Sequence, residues 1–299
     1  MELRNVMSLF DGGSMGQAAL RKRNIKFEKY YASEINRKSI KVALKNFPDM
    51  IHIGDVREVD GESYENIDLL IGGSPCTDLS INGKQNGMVT KCDIKVTSLK
   101  QYLELKQNGF EFQGESFLFW EYVRVLHEVK PKYFLLENVV MKGKNKFWEK
   151  VMSDALGVQP IRINSSDITA QNRDRLYWTN IPNVSQPEKK DINVWDVIPG
   201  AVAGSGIRGV KKKGEDHYTL NYTKRKDGKF NCITTSRTTS MVDLGDHHRE
   251  LTPTELEIIQ TLDKGYTDVK GLTDGDRVKV IGNGWTVKVI EHIFEPLTK

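Results

Sequence analysis

From Arg4 to about Asn180, short continuous apolar runs alternate with stretches in which apolar residues fall three and four apart. Runs of the first kind are strands of a parallel sheet buried on both faces, and stretches of the second kind are amphipathic helices. The strands expected are Val6 to Phe10, Lys29 to Ser33, Ile67 to Gly72, Tyr133 to Leu136, Ile161 to Ser165 and Leu176 to Thr179. Between them the spacing predicts helices over Met15 to Arg23, Asn36 to Asn46, Glu115 to Val129 and Lys146 to Leu156, with Pro48 and Pro131 falling where helices have ended. Strand-helix repetition of this kind is the mark of an α/β domain around a mostly parallel sheet.

The pattern breaks at about Pro182. From there to His248 the chain is rich in Gly, Pro, Ser, Thr and Lys and has little periodicity, which predicts a small irregular lobe over residues 182–248. Order returns at Leu251-Thr252-Pro253-Thr254-Glu255, where Thr252 and Glu255 are spaced as a reciprocal cap around a helix opened by Pro253. A last helix is expected from about Trp285 to Phe294, so residues 249–299 return to the first domain, residues 1–181. One connection is unusually long. Ser80 to Gly114 carries Gly83, Gly87, Gly109 and Gly114 as hinge points and a short helix over Ser98 to Gln107, and reads as a lid.

Charge sharpens the picture of the lobe. The chain carries a net +4, but Ala201 to Arg249 holds ten Lys plus Arg against five Asp plus Glu. Lys211-Lys212-Lys213 and Lys224-Arg225-Lys226, interleaved with Tyr218, Tyr222 and His217, suit a polyphosphate. Cys76, Cys92 and Cys232 form no C-x-x-C pair, which argues against a disulfide framework and a zinc site and for a reducing compartment. The opening Arg4-Asn5-Val6-Met7 lacks a charged-then-apolar leader and no apolar stretch is long enough for a bilayer, so a cytoplasmic protein without membrane association is expected.

Candidate chemistry gathers at the ends of the strands. Gly72-Gly73-Ser74-Pro75-Cys76 closes the third run, placing a sulfur on a tight turn where ligands of open α/β sheets collect. Phe10-Asp11-Gly12-Gly13-Ser14-Met15-Gly16 follows the first strand without G-x-G-x-x-G spacing, so the dinucleotide fingerprint is not met. Glu34 ends the second strand, placed for ribose hydroxyls, and Asp55 in Gly54-Asp55-Val56 is placed for an exocyclic amine; together these suit an adenosine without a pyrophosphate.

In order along the chain, these segments resemble the cytosine-C5 DNA methyltransferases. Phe10 to Gly16 is similar to the family's cofactor loop, Gly73-Ser74-Pro75-Cys76 to its nucleophile motif and Glu137-Asn138-Val139 to its carboxylate motif. Gln171-Asn172-Arg173-Asp174-Arg175 is similar to the paired-arginine motif and Gly282-Asn283 to the closing cofactor motif. The likeness sharpens toward the catalytic domains of animal de novo enzymes through Ser74 to Ser80, the Phe119 to Pro131 stretch and Trp285 to Ile290. The chain departs from the pattern at Thr77, where Gln or Asn is usual, at Gly284-Trp285, and in the extended Ser80 to Gly114 segment. Its Lys, Asn and Ile usage suits a bacterial or phage gene, as a solitary modifier or the partner of a cognate restriction endonuclease.

The resemblance implies a Rossmann-like class I methyltransferase sheet with a target-recognition lobe, S-adenosyl-L-methionine as cofactor, S-adenosyl-L-homocysteine as product and double-stranded DNA as substrate. It implies catalytic roles for four residues: Cys76 as the thiolate that adds to cytosine C6, Glu137 as the acid at N3, Arg175 at O2, and Arg173 supporting the pocket and nearby phosphates. Cofactor contacts are implied for Phe10, Asp11, Gly12, Gly13, Ser14, Met15, Gly16, Glu34, Ile35, Asp55, Val56, Pro75, Asn283 and Trp285, the last against the adenine. A cytosine inside a duplex hides C6, so the base must swing out, the lid closing over it. DNA contacts are then expected from Ser80, Lys84, Lys211, Lys212, Lys213, Lys224, Arg225 and Arg237, with Thr234 to Ser240 reading sequence. Two rival readings follow: a transfer-RNA cytosine-5 methyltransferase, whose branch carries a Cys-Phe-Thr segment missing here, and a noncatalytic DNA-binding accessory protein on the same scaffold.

Overall fold

β1 (Glu2–Leu9) leads through α1 (Met15–Lys22) to β2 (Lys26–Ser33), and through α2 (Arg37–Asn46) to β3 (Ile51–His52). The chain then crosses back to β4 (Ile67–Gly73), continues through α3 (Leu99–Gln107) and α4 (Phe119–Val129) to β5 (Tyr133–Val139), and through α5 (Lys146–Leu156) to β6 (Ile161–Asn164) and β7 (Asp174–Thr179). This is a computed structural model, and it describes residues 2–80, 86–210 and 219–298. The seven strands lie in the order β3-β2-β1-β4-β5-β7-β6. Strands β2, β1, β4 and β5 pair in parallel, while β7 runs antiparallel to both β5 and β6. The chain order reverses between β1 and β4, and the crevice at their carboxyl ends is the place such sheets reserve for ligands.

Burial on both faces explains the continuous runs. Val6, Leu69, Ile71 and Leu135 pack into one apolar cluster with α1, α2 and the carboxyl-terminal helix, while Met7, Leu70, Phe134 and Leu136 face a second cluster with Tyr122, Trp120 and Trp178. Adjacent residues of one strand thus feed opposite layers. All six expected strands are present. β1 begins earlier than its apolar run because Glu2 and Arg4 alternate with buried neighbours, and β3 escaped notice because it is two exposed residues long.

Beyond α6 (Val194–Val197) the lobe is more regular than its composition suggests. It holds β8 (Ala203–Val210), β9 (Thr219–Lys224), β10 (Met241–Asp243) and β11 (His248–Glu250) in a four-stranded antiparallel sheet, order β11-β10-β8-β9. Its strand signal is hidden by glycines that other backbone requires. A Cβ on Gly204 would stand 2.3 Å from the Lys229 carbonyl oxygen, and one on Gly206 3.0 Å from that of Thr239. Three helices then return: α7 (Pro253–Ile259), α8 (Asp274–Asn283) and α9 (Val287–Phe294). Thr252 and Glu255 do form the reciprocal cap on α7, with Glu255 Oε2 accepting from the Thr252 N–H at 2.8 Å. A third apolar cluster joins Phe230, Val242 and Leu251 of the lobe to Leu256 and Ile259 of α7 and Val278 and Ile281 of α8. Among the described residues no helix is long and apolar enough to cross a membrane.

The long connection is not an open loop where it is described. Val89 bridges Lys95 and Thr90 bridges Phe112, α3 is capped by the Ser98 hydroxyl, and Met88, Thr90, Val96 and Tyr102 are buried. Residues 86–114 form a packed appendage on α4; Lys84 lies outside the described residues, as do Lys211, Lys212 and Lys213.

Candidate active site

The carboxyl ends of β1 and β4 supply the two loops that flank the switch point. After β1 the chain turns through left-handed backbone at Phe10 (φ 57°), Gly12 (φ 58°) and Ser14 (φ 61°) before α1 starts. The turn is held by Glu34, whose Oε2 accepts from the Gly12 N–H at 2.8 Å and whose Oε1 accepts from the N–H groups of Ile35 and Asn36, each at 2.8 Å. Close packing of helix on sheet fixes Gly16, where a Cβ would stand 2.4 Å from Ile71. Asp11 Oδ1 accepts from the Tyr30 hydroxyl at 2.8 Å, but its Oδ2 is buried with no hydrogen-bond partner. Burial is the largest cause of a carboxyl pushed up from 3.8 to about 6.

Two further features face this loop. Ile35, at the end of β2, is 65% exposed, the barest large apolar side chain among the described residues. Asp55, beyond β3, is gripped by its neighbour: Arg57 Nε lies 3.1 and 3.0 Å from its two oxygens, and this hydrogen bonding holds the carboxyl below its ordinary value.

At the end of β4, Gly72 and Gly73 answer a need for space rather than for a sharp turn, since neither has a positive φ. A Cβ on Gly72 would stand 2.9 Å from the Tyr122 ring, and one on Gly73 2.9 Å from Trp285 Nε1 and 3.3 Å from Glu137 Oε2. Cys76 follows, half-buried, in a turn closed by its own carbonyl, which accepts from Leu79 and Ser80 N–H groups at 3.0 and 2.8 Å. Asn138 Nδ2 donates to the Ser74 carbonyl and hydroxyl oxygens at 3.1 and 3.0 Å. Asp78 accepts from the Glu115 and Ser116 N–H groups at 3.1 and 3.2 Å, tying the turn to the end of the appendage.

Glu137 lies beside Gly73 in register on β5 and is nearly enclosed. Its Oε1 pairs with Arg175 Nε at 2.8 Å, and its Oε2 accepts from the Trp285 indole N–H at 3.2 Å. Trp285 therefore covers the acid and packs over Gly16 and Gly73. Burial and then the Glu137 charge push the Cys76 thiol above its usual 9.0, with Arg175 and Arg173 opposing.

Arg173 serves differently from expectation. Its nitrogens donate to the carbonyls of Ile233 (3.0 Å), Gly282 (3.3 Å) and Gly284 (2.9 Å), stapling the lobe to the end of α8 and the motif around Asn283. Cys232, which sequence reasoning left unassigned, completes the cluster: its sulfur receives Arg173 Nη1 at 3.4 Å and Arg175 Nη2 at 3.8 Å. Burial raises this thiol, but the two guanidinium groups outweigh it and hold it below 9.0. No local signal marks it, because the residue stands far along the chain from both arginines.

Three of the lobe's described cations are already engaged. Lys224 pairs with Asp243 at 2.7 Å, Arg237 with Glu250 at 2.8 Å, and Arg225 Nε with Asp227 at 2.9 Å.

The sequence profile of the C-5 cytosine-specific DNA methylase family matches residues 4–97, 104–193 and 181–299. The orphan methyltransferase M.SPRI of Bacillus phage SPR is 31% identical over 182 residues, which span 58% of this chain and 36% of that protein. The chain thus covers about a third of that relative's length. Among solved structures, Entamoeba histolytica methyltransferase EhMeth superposes with a TM-score of 0.65 at 18% identity, over 99% of this chain and 98% of its own. A mutant DNMT2 of Spodoptera frugiperda does so with a TM-score of 0.65 at 16% identity, over 99% and 100%. At these identities the two superpositions speak for the fold.

Proposed function

Because the chain belongs to the C-5 cytosine-specific DNA methylase family, we propose that it methylates C5 of a flipped cytosine in duplex DNA through a transient bond between Cys76 and C6. The observation that carries this reading is the convergence at the switch point of Cys76 with the Glu137-Arg175-Trp285 cluster. Bound S-adenosylmethionine supplies the electrophilic methyl group. The crevice fits such a cationic adenosine derivative. Asp11 offers a buried oxygen without a partner, Ile35 a bare apolar platform, and Glu34 and Asp55 carboxylates at the ends of β2 and beyond β3.

The chain's own residues account for the proton traffic. Burial and the Glu137 charge keep the proton on the Cys76 sulfur, and passing that proton to Glu137 as the base enters frees the sulfur to attack. A protonated Glu137 is also the form that donates to N3 of the base, relieving the negative charge the sulfur brings to the ring. Arg175, buried and cationic, fixes the position of the Glu137 carboxyl from one side and is the group proposed to meet the base oxygen. Trp285 shuts water from the other side.

The test is covalent capture. Duplex DNA carrying 5-fluorocytosine, incubated with cofactor, should yield an adduct whose mass maps to Cys76, and Cys76→Ser should yield none while still binding DNA. Labelled methyl transfer to transfer RNA but not to duplex DNA would replace the substrate; binding of both ligands without any adduct would overturn the mechanism.

A further inference from the structure

The appendage over residues 86–114 is where this chain departs most from its family, whose profile leaves residues 98–103 unmatched. Those residues include the start of α3 and Tyr102. Tyr102 makes the appendage's own small core, its ring 5.1 Å from Phe112, which stacks on Phe117 at 4.7 Å. From this core α3 reaches a wholly buried carboxylate on α4. The Tyr102 hydroxyl and Lys106 Nζ each donate to Glu121 Oε1 at 2.5 Å, and Arg124 Nε donates to Glu121 Oε2 at 2.7 Å.

Arg124 carries the connection onward. Its Nη2 donates to the Val56 carbonyl at 2.9 Å and its Nη1 to the Val59 carbonyl at 2.8 Å, with Glu128 also at 2.8 Å. Glu128 in turn accepts from the Gly61 N–H at 2.9 Å. Two carbonyls of the turn that starts at Asp55 are thereby fixed on one side, while Ser33 holds the Gly54 carbonyl at 2.9 Å on the other. Charge balance leans on the appendage: without Lys106 the ion pairs of Glu121 and Glu128 fall to Arg124, Arg57 acting on Glu121 only through space, and a second carboxylate in such a cluster is costly without its cation.

We propose that Tyr102 and Lys106 of the appendage are positioning residues for the cofactor: acting through Glu121 and Arg124, they hold the Asp55-Val56 turn in place for an adenine. The inference rests on the function proposed above, which gives that turn to the cofactor. It assigns the appendage a role at the cofactor end of the crevice rather than over the base.

The experiment uses the full chain and variants Lys106→Met, Tyr102→Phe and Lys106→Arg. Calorimetric titration with S-adenosylhomocysteine should show about fivefold weaker binding for Lys106→Met and for Tyr102→Phe, the range expected of a coupling through packed partners. KM for S-adenosylmethionine should rise by the same factor, with kcat and the KM for DNA unchanged within about twofold and the charge-preserving Lys106→Arg restoring affinity. A merely structural role predicts instead a lower unfolding temperature with unchanged affinity in the folded fraction, and that result overturns the proposal. So does a loss shared equally by kcat and KM, or one that Lys106→Arg fails to restore. If the unaltered chain itself binds no S-adenosylhomocysteine, the function reading falls and takes this one with it; if it binds normally and the variants bind equally well, only the appendage's role falls.

Discussion

Asp11→Asn should make the protein more stable and a worse enzyme. The Asp11 carboxyl is buried, one of its oxygens has no partner, and its folded value is raised from 3.8 to about 6, by burial first and with a further push from Glu34. A group whose folded value is raised favours folding most at low pH, and that contribution is lost as pH climbs through the folded value. Here the window is about pH 4 to 6. The gap corresponds to ~3 kcal/mol at about 1.4 kcal/mol per pH unit, so by pH 7.5 the ionised carboxylate opposes folding by roughly that amount. Asparagine keeps the oxygen that receives Tyr30 and removes the charge, at a cost of about 1 kcal/mol for an amide N–H without a partner. Urea unfolding followed by circular dichroism should therefore show the two proteins nearly equal at pH 4.5 and the variant ahead by ~2 kcal/mol at pH 7.5. Under the function proposed above, which gives the unpartnered oxygen to a cationic cofactor, affinity for S-adenosylmethionine should fall. Stability profiles that stay parallel across this pH range would refute the reasoning.

Three shorter predictions concern the cluster and the lobe. In the ligand-free protein at pH 7.5, iodoacetamide should alkylate Cys232 before Cys76, since the arginine pair lowers one thiol while burial and Glu137 raise the other; peptide mass mapping in the reverse order contradicts the electrostatics. Glu137→Gln removes the charge that holds the Cys76 thiol up, so alkylation at that residue should quicken while methyl transfer drops by about a hundredfold or more; a parallel fall in both would show that the acid is not the obstacle. Glu250→Gln frees Arg237, so DNA binding should tighten and its dependence on salt steepen by about one counterion; an unchanged slope would place Arg237 away from phosphates and bases alike.

The sheet was legible because its strands are buried on both faces, which favours apolar residues at consecutive positions, as at Val6, Met7 and Leu9 and from Leu69 to Ile71. Strand direction left no such trace: nothing in Leu176 to Thr179 tells that β7 runs against its neighbours. β10 and β11, three residues each, are too short to show a period, while β8 and α8 were hidden for one shared reason. Gly204, Gly206 and Gly282 stand where another stretch of backbone crosses, a Cβ on Gly282 falling 2.3 Å from the Thr234 carbonyl oxygen, and a glycine chosen for closeness erases the periodicity that marks an element. α8 still carried a cap, Thr273 with Asp276, but with an aspartate in place of the usual longer acid.

Motifs name the residue types a reaction needs, and they leave open which way each side chain turns. Arg173 immediately precedes β7 and Arg175 lies within it, and both reach Cys232. From there they diverge: Arg175 goes to the acid, Arg173 to carbonyls of the lobe and of the loop between α8 and α9. The same partition recurs in the lobe, where Lys224 and Arg237 were legible as cations but their partners Asp243 and Glu250 were not, because pairing is decided in space and not along the chain. Arg173 is thus the point at which three separately readable segments become one machine. Displacing its guanidinium should free the loop that carries Trp285, uncover Glu137 and leave Cys232 facing Arg175 alone, so a change at Arg173 should reach the proposed reacting groups through their surroundings.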